Sequence, residues 1–100
     1  MKDKKAFLKE YLLQQSKIKR LGEMILTNPT KKALYTAQIN KCNNICNNIE
    51  NRILKLDDTI LQEILIQKYI CGKNLEEVSH SINYSKRHTE RLHVKALEKL

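Results

Sequence analysis

An unbroken, heptad-like spacing of apolar residues within the segment 30–56 constrains the fold more than any other feature of this chain. Apolar side chains recur there at alternating steps of four and three residues, as on one face of a helix: Tyr35, Ile39, Cys42, Cys46, Ile49, Ile53 and Leu56. Such a helix would extend for about 40 Å at 1.5 Å per residue. A domain of 100 residues cannot cover that length with its core alone. The spacing therefore predicts a hairpin with a neighbouring helix, pairing with a second chain, or both.

The rest of the N-terminal half is also predicted to be helical. With two glycines and one proline in the whole chain, few positions break a helix, and the composition favours an all-α protein. The segment Lys2–Leu26 is predicted as a first helix with its own four–three seam, in which Gln14 is the one polar member. Asn28 is expected to cap the next helix, with Pro29 in its first turn. The segment 1–56 is thus predicted to be a long helical hairpin or coiled coil that serves oligomerisation.

Capping residues divide the segment 57–100 into short helices. The acidic pair Asp57–Asp58 suits the start of a third helix, because free amide groups and the helix dipole favour negative charge there. This helix is predicted to run to about Cys71, and Gly72 is placed to end it in a left-handed conformation. Its buried side is predicted to carry Ile60, Leu61, Ile64, Leu65, Tyr69 and Ile70.

Residues 74–85 contain the signals for a fourth helix, a tight turn and a fifth helix. Asn74 followed by Glu77 fits a capping box for a fourth helix over residues 75–82. Asn83 tolerates the positive φ that a tight turn needs. Ser85 suits the N-cap of a fifth helix that continues towards Leu100. Two helices so close together need apolar side chains at fixed offsets and a small residue where they touch.

The spacing of residues 75–92 meets this requirement. Counted from Leu75, the apolar offsets hold Val78, Ile82, Tyr84, Thr89 and Leu92, and the small-residue offset holds Ser79. Thr89 has a methyl group that can pack, and Tyr84 is predicted to lie in the core with its hydroxyl exposed. The segment 57–100 is therefore predicted to be a helix-turn-helix domain, a motif that places its second helix in the major groove of DNA.

The sign of the charge changes where the predicted fifth helix begins. The segment 57–82 carries the acidic residues Asp57, Asp58, Glu63, Glu76 and Glu77 against only two lysines, Lys68 and Lys73. In the segment 85–100, Lys86, Arg87, Arg91, Lys95 and Lys99 outnumber Glu90 and Glu98. Together with a net charge of +8 and a pI near 9.5, this contrast favours a polyanionic partner for the fifth helix.

Three stretches of the C-terminal half also resemble a known family. They are Tyr69–Ser79, the Asn-Tyr-Ser of residues 83–85, and Arg91–Leu100. They are similar to region 4 of sigma-70-type initiation factors and, more closely, to small phage and prophage regulators of the ArpU and RinA kind. The resemblance implies packing by Leu92, Ala96, Leu97 and Leu100. It implies double-stranded DNA as the partner, and RNA polymerase as a further candidate because sigma region 4 also binds it.

The exposed side of the predicted fifth helix supplies the candidate DNA contacts. The resemblance places base-edge contacts at Lys86, Arg87, Glu90 and Arg91, and arginine can grip guanine O6 and N7 bidentately. Glu90 could instead pair with Lys86 one turn earlier. The candidate phosphate contacts are Lys73, Tyr84, Ser85, His88, Lys95 and Lys99. The N-terminal lysines are interpreted as a solvated helix end; they are Lys2, Lys4, Lys5 and Lys9.

The other reactive side chains fit no catalytic or metal-binding pattern. The three cysteines and three histidines include no Cys-x-x-Cys and no His-x₃-His ligand pair, so no metal and no cofactor are predicted. No set of nucleophile, base and orienting group stands out, which predicts that the protein is not an enzyme. No apolar run approaches the roughly 18 residues of a membrane span, and no signal segment is found. With the cysteines interpreted as reduced, the protein is expected to be cytoplasmic.

These features predict a sequence-specific, double-stranded DNA-binding regulator of transcription from a phage or mobile element, with its recognition helix at residues 85–100. It is expected to be a homodimer joined through the N-terminal helices by the seam Tyr35, Ile39, Cys42, Cys46, Ile49 and Ile53. Two other functions stay open. One is a small DNA-packaging subunit of a phage terminase, and the other is a protein-interaction adaptor that binds RNA polymerase or a host coiled coil.

Overall fold

The computed structural model describes residues 2–100, and over this range the chain is helical with no strand. The α-helices in this range are α1 (Lys2–Thr27), α2 (Lys32–Leu54), α3 (Thr59–Leu65), α4 (Leu75–Ile82) and α5 (Lys86–Lys99). A 3₁₀ turn, Pro29–Lys31, precedes α2, and a π-helical turn, Ile66–Ile70, continues α3. This part of the chain measures 51 × 23 × 21 Å. The predicted all-α class is confirmed.

Helices α1 and α2 pack along each other as a hairpin. The Tyr11 hydroxyl donates a 2.7 Å hydrogen bond to Glu50 Oε1 across this interface. That bond, with desolvation as the second cause, raises the pKa of Tyr11 to about 12. Gln14, the polar member of the α1 seam, is only 3% exposed and donates from Nε2 to Glu10 Oε1 at 2.8 Å. The Tyr11–Glu50 bond is thus a polar contact between the two helices, while the Gln14–Glu10 bond satisfies a buried amide within α1.

The apolar seam of α2 lies inside this hairpin. Tyr35 and Cys42 cluster with Leu21 of α1, and Ile39 packs against the edge of that cluster. The other three members of the seam, Cys46, Ile49 and Ile53, lie in a larger cluster with Leu8 and Tyr11 of α1. Helix α1 of the same chain thus occupies the seam that was expected to join two protomers. A second chain would have to bind elsewhere, unless the hairpin opened.

The larger cluster also unites the two segments that the sequence had separated at residue 56. It combines side chains of α1 and α2 with Leu61 and Leu65 of α3, Tyr69 of the π-helical turn, and Ala96 and Leu97 of α5. Leu61, Leu65, Ala96 and Leu97 are fully buried. The C-terminal half of α5 is thus an integral part of the core that the hairpin forms.

Polar contacts fix the C-terminal end of α5 to the hairpin. Lys4 Nζ of α1 donates a 3.0 Å hydrogen bond to the main-chain oxygen of Glu98. Arg52 of α2 donates from Nη2 to the main-chain oxygen of Leu100 at 3.3 Å, and its guanidinium lies 5.2 Å from the centre of the Phe7 ring. The last turn of α5 is thus attached to both helices of the hairpin.

Two local predictions differ from the structure. The third helix does not remain α-helical to Cys71, because a π-helical turn follows Leu65, with Cys71 N donating to Ile66 O at 3.0 Å. Gly72 then adopts φ +77°, as predicted for the end of this helix. Asn28 makes no side-chain capping bond, and its Oδ1 instead accepts from the Thr30 hydroxyl at 2.7 Å.

None of the helices in residues 2–100 is both long and apolar enough to cross a membrane.

Candidate nucleic-acid interface

Helix α4 begins with the predicted capping box. Glu77 N donates to Asn74 Oδ1 at 2.9 Å, and Asn74 N donates to Glu77 Oε1 at 3.1 Å. Both bonds satisfy amide groups that the first turn of a helix leaves without partners. This local pairing fixes the start of α4 at Leu75. The third helix begins in a related way, because Asp58 Oδ1 accepts from the main-chain nitrogens of Ile60 and Leu61.

A turn of three residues joins α4 to α5. Asn83 lies in the left-handed region with φ 59° and ψ 36°, as predicted, and Tyr84 N donates to Ser79 O at 3.0 Å. Ser85 then caps α5, because its Oγ accepts from His88 N at 3.1 Å. The main chain of Asn83 and Tyr84 thus makes the reversal, and the side chain of Ser85 starts the next helix.

Three small or branched side chains hold α4 against α5. Val78 and Thr89 are fully buried, and Ser79 is 3% exposed. The hydroxyls of Ser79 and Thr89 donate to main-chain oxygens one turn earlier in the chain, so neither is left unpaired. Tyr84 departs from the prediction: its side chain is 38% exposed, and its ring lies 5.1 Å from that of His88 at an angle of 44°. It lies at the surface, on the turn, and not in the core.

The outward side of α5 carries the residues predicted to contact bases. Lys86, Arg87, Glu90 and Arg91 are all exposed. Arg87, Arg91 and Lys95 recur every four residues and therefore project from one side of the helix. The opposite side is buried through Thr89, His93, Ala96 and Leu97. One face of α5 thus anchors the helix while the other offers cationic groups to a partner.

The candidate phosphate contacts surround this face but do not form one group. Tyr84, Ser85 and His88 are exposed around the N-terminal end of α5, and Lys95 is exposed along it. Lys73 is half-buried in the loop before α4. Lys99 is placed apart from them, where it lines a groove with Lys55, Leu56, Asp57, Asp58 and Leu61. Thirteen residues at 1.5 Å each separate Lys99 from Lys86 by about 20 Å.

Val94 belongs to the outward face and was not identified from the sequence. Its side chain is 40% exposed, three residues beyond Arg91 and beside Lys95. An exposed aliphatic group on a groove-facing helix can contact the methyl group of thymine. Its helical offset from Arg87 and Arg91, seven and three residues earlier, is the signal in the sequence that places it on their side of the helix.

Lys68 is a second residue that the sequence did not assign to this surface. It lies on the π-helical turn, and it lines a groove together with Asn74, Leu75, Glu76, Lys86 and Glu90. Its charge therefore lies close to the N-terminal end of α5. Burial is the largest cause that lowers its pKa, followed by the positive charges of Lys9 and Lys5.

His93 stabilises α5 from its buried side. Its ring is stacked on that of Tyr69, with centres 5.7 Å apart, and the Tyr69 hydroxyl lies 2.7 Å from His93 Nε2. In the tautomer with its proton on Nδ1, neutral His93 accepts this hydrogen bond from the phenol. Burial, and then the charges of Lys68 and Lys5, lower the pKa of His93 from 6.5 to about 4. Neutral His93 thus links α5 to the π-helical turn.

This buried imidazole makes folding stability dependent on pH. Between pH 6.5 and 4 the unfolded chain binds a proton that the folded chain excludes, so stability falls as the pH falls through this range. We expect the free energy of unfolding to drop by about 2 kcal/mol from pH 7 to pH 5 through this residue. Urea titrations of His93→Leu should show a correspondingly smaller drop. His88→Gln, which changes an exposed histidine, should retain the full drop; equal pH dependence in both variants would contradict the assignment.

The cysteines of the described range are free thiols, with Cys42 and Cys46 buried and Cys71 exposed. Burial is the main cause that raises the pKa of Cys46. Within residues 2–100, no three or more histidine, cysteine, aspartate or glutamate side chains are grouped so that they could hold a metal ion.

The exposed face of α5 carries all four of the residues that were predicted to contact bases. Comparison of the chain with family models, with curated proteins and with solved structures finds no match in any of the three.

Proposed function

We propose that this protein is a sequence-specific double-stranded DNA-binding regulator of transcription, in which α4 and α5 act as a helix-turn-helix. One observation carries the proposal: α5 is anchored by one face in the core while Lys86, Arg87 and Arg91 are exposed on the other. A groove-reading helix needs this arrangement, because the side chains that meet base edges must be free while the helix is held rigidly.

The N-terminal end of α5 supports the proposal further. Main-chain amides at the start of a helix, together with the helix dipole, favour a phosphate group. Ser85 uses its hydroxyl oxygen as an acceptor for His88 N, so the hydroxyl proton is still able to donate to a phosphate. Tyr84 is exposed on the same turn and carries a second hydroxyl donor. We expect these groups to bind the DNA backbone and so fix the register of α5, while the arginines contact the bases.

We further propose that the protein acts as a homodimer. A single short helix makes few contacts, and specific affinities of about 10⁻⁸ M or tighter generally require a larger surface. Since α1 covers the seam of α2, the contact that we propose between protomers uses other residues of the N-terminal helices. Leu26 is 81% exposed and Leu34 is 55% exposed, on the two helices that flank the hairpin turn. They are the apolar side chains that we assign to this contact.

Selection of bound sequences from a random duplex pool, with molar mass measured in parallel, tests the function. We expect enrichment of a two-fold symmetric sequence and the mass of a dimer. We also expect affinity that falls steeply as salt rises, because released counterions drive binding to DNA. Ring assemblies of eight or more chains would indicate a packaging subunit instead. A monomer without salt-sensitive affinity for DNA would reject the proposal and favour a protein-interaction adaptor.

A further inference from the structure

Three lysines from three separate parts of the chain line one groove between α1, the π-helical turn and the loop before α4. They are Lys9 of α1, Lys68 of the π-helical turn and Lys73 of the loop before α4. The groove has a volume of about 290 Å³, and Leu12, Tyr69, Gly72 and Asn74 complete its lining. Since one water molecule occupies about 30 Å³ in the liquid, the groove can hold a phosphate group together with several waters. No carboxylate lies among its lining residues in the described range.

The backbone around Lys73 is tied to the π-helical turn and to α1. Lys73 N donates to Gln67 O at 3.0 Å, which ties the loop to the π-helical turn. Gly72 reverses the chain at φ +77°, and a Cβ there would lie only 3.5 Å from Leu12 Cδ1 of α1. The loop therefore lies directly on α1. Tyr69, which lines the groove, packs in the same core cluster as Ala96 and Leu97 of α5. The groove and α5 are thus attached to one core.

Lys68 connects this groove to the N-terminal part of α5. This residue also lines the neighbouring groove that contains Lys86 and Glu90 of α5, together with Glu76 of α4. Lys9 and Lys5 are the charged groups whose proximity disfavours the ammonium form of Lys68. Positive groups that repel one another in the free protein are stabilised when an anion binds between them.

We propose that Lys9, Lys68 and Lys73 bind phosphate groups of the DNA backbone beside the groove that α5 enters. This inference rests on the proposed function and deepens it, because it gives α1 a part in DNA binding besides its part in the hairpin. Lys9 is then more than part of a solvated helix end. Phosphate contacts of this kind add affinity and fix orientation, but they carry no sequence information.

The experiment uses the full chain and a duplex of random sequence. The test variant combines Lys9→Gln, Lys68→Met and Lys73→Gln; methionine keeps an apolar stem but removes the ammonium group, which lies 5.5 Å from the centre of the Tyr69 ring. The control combines Lys31→Gln, Lys32→Gln and Lys41→Gln, which removes the same charge from exposed positions in and near α2. Each lost phosphate contact reduces the slope of log K against log salt by about 0.9. For each protomer that contacts the duplex, we expect the test variant to reduce it by about 2 to 3 and the control by less than about 1.

The outcomes separate this inference from the proposed function. Equal slopes for the two variants would overturn the inference alone, provided that the unaltered protein binds with a steep salt dependence. If the unaltered protein binds no duplex, the inference and the proposed function both fail. Should the test variant not fold, amine labelling of the unaltered protein decides: DNA should protect Lys9 and Lys73 while Lys31 stays reactive. Undiminished labelling of Lys9 and Lys73 in the complex would also overturn the inference.

Discussion

Replacing Arg87 and Arg91 together with alanine is expected to lower affinity for the selected duplex by about 100-fold or more. A bidentate contact between arginine and guanine contributes about 1–3 kcal/mol of base discrimination, and about 1.4 kcal/mol corresponds to a factor of ten. Both side chains are exposed on the outward face of α5, so the circular dichroism spectrum and the urea midpoint should not change. Band-shift titrations with the selected duplex and with a random duplex measure the effect.

Two matched variants separate base reading from simple loss of charge. Lys19→Ala with Arg20→Ala removes the same charge from exposed positions of α1 and should lower affinity for both duplexes only slightly. Arg87→Lys with Arg91→Lys keeps the charge but loses the planar fork of the guanidinium. That variant should bind the random duplex almost normally while it loses most of its preference for the selected duplex. An unchanged preference in the alanine variant would reject both arginines as base contacts.

Replacing Leu97 with alanine is expected to destabilise the whole fold by about 2–5 kcal/mol, the range for a leucine deleted from a packed core. Leu97 is fully buried in the cluster that joins α5 to α1, α2 and α3. Since a small domain is stable by only about 5–15 kcal/mol, the loss should be evident as a large fall in the urea midpoint. DNA affinity should fall only to the extent that the protein is unfolded.

Val94→Ala is the control for this second experiment. Val94 lies on the same helix but is exposed, so its truncation should change stability by less than about 0.5 kcal/mol. If α5 packed independently of the hairpin, Leu97→Ala would unfold only the C-terminal segment, and α1 and α2 would unfold in a separate transition. A single transition that shifts as a whole is the result expected from the shared core.

Part of the proposed site could be predicted from the sequence, because helical periodicity shows which side chains of α5 face outward. Once α5 was assigned to residues 85–100, the buried offsets of Thr89, Ala96 and Leu97 left Arg87 and Arg91 on the other side. Tyr84 was misplaced because its offset fits an apolar position, while in the structure that position lies on the open side of the turn. Lys68 was missed because no pattern on its own helix relates it to α5.

The starts of the three helices in the C-terminal half were determined by the sequence itself. Asn74 with Glu77, Asp58 and Ser85 each pair with main-chain groups two or three residues away, and Asn83 adopts its left-handed conformation at the turn. Such interactions involve only a few consecutive residues, so the local sequence is sufficient to specify them.

The tertiary structure decided which surfaces meet. The four–three spacing of α2 required a partner helix but could not distinguish α1 from a second chain, because both would cover the same apolar face. The pairing of His93 with Tyr69, and the grouping of Lys9, Lys68 and Lys73, likewise bring together residues that are distant in the sequence. Such groupings arise only when the hairpin, the π-helical turn and α5 close around one core, since periodicity specifies the face of a helix but not what packs against it.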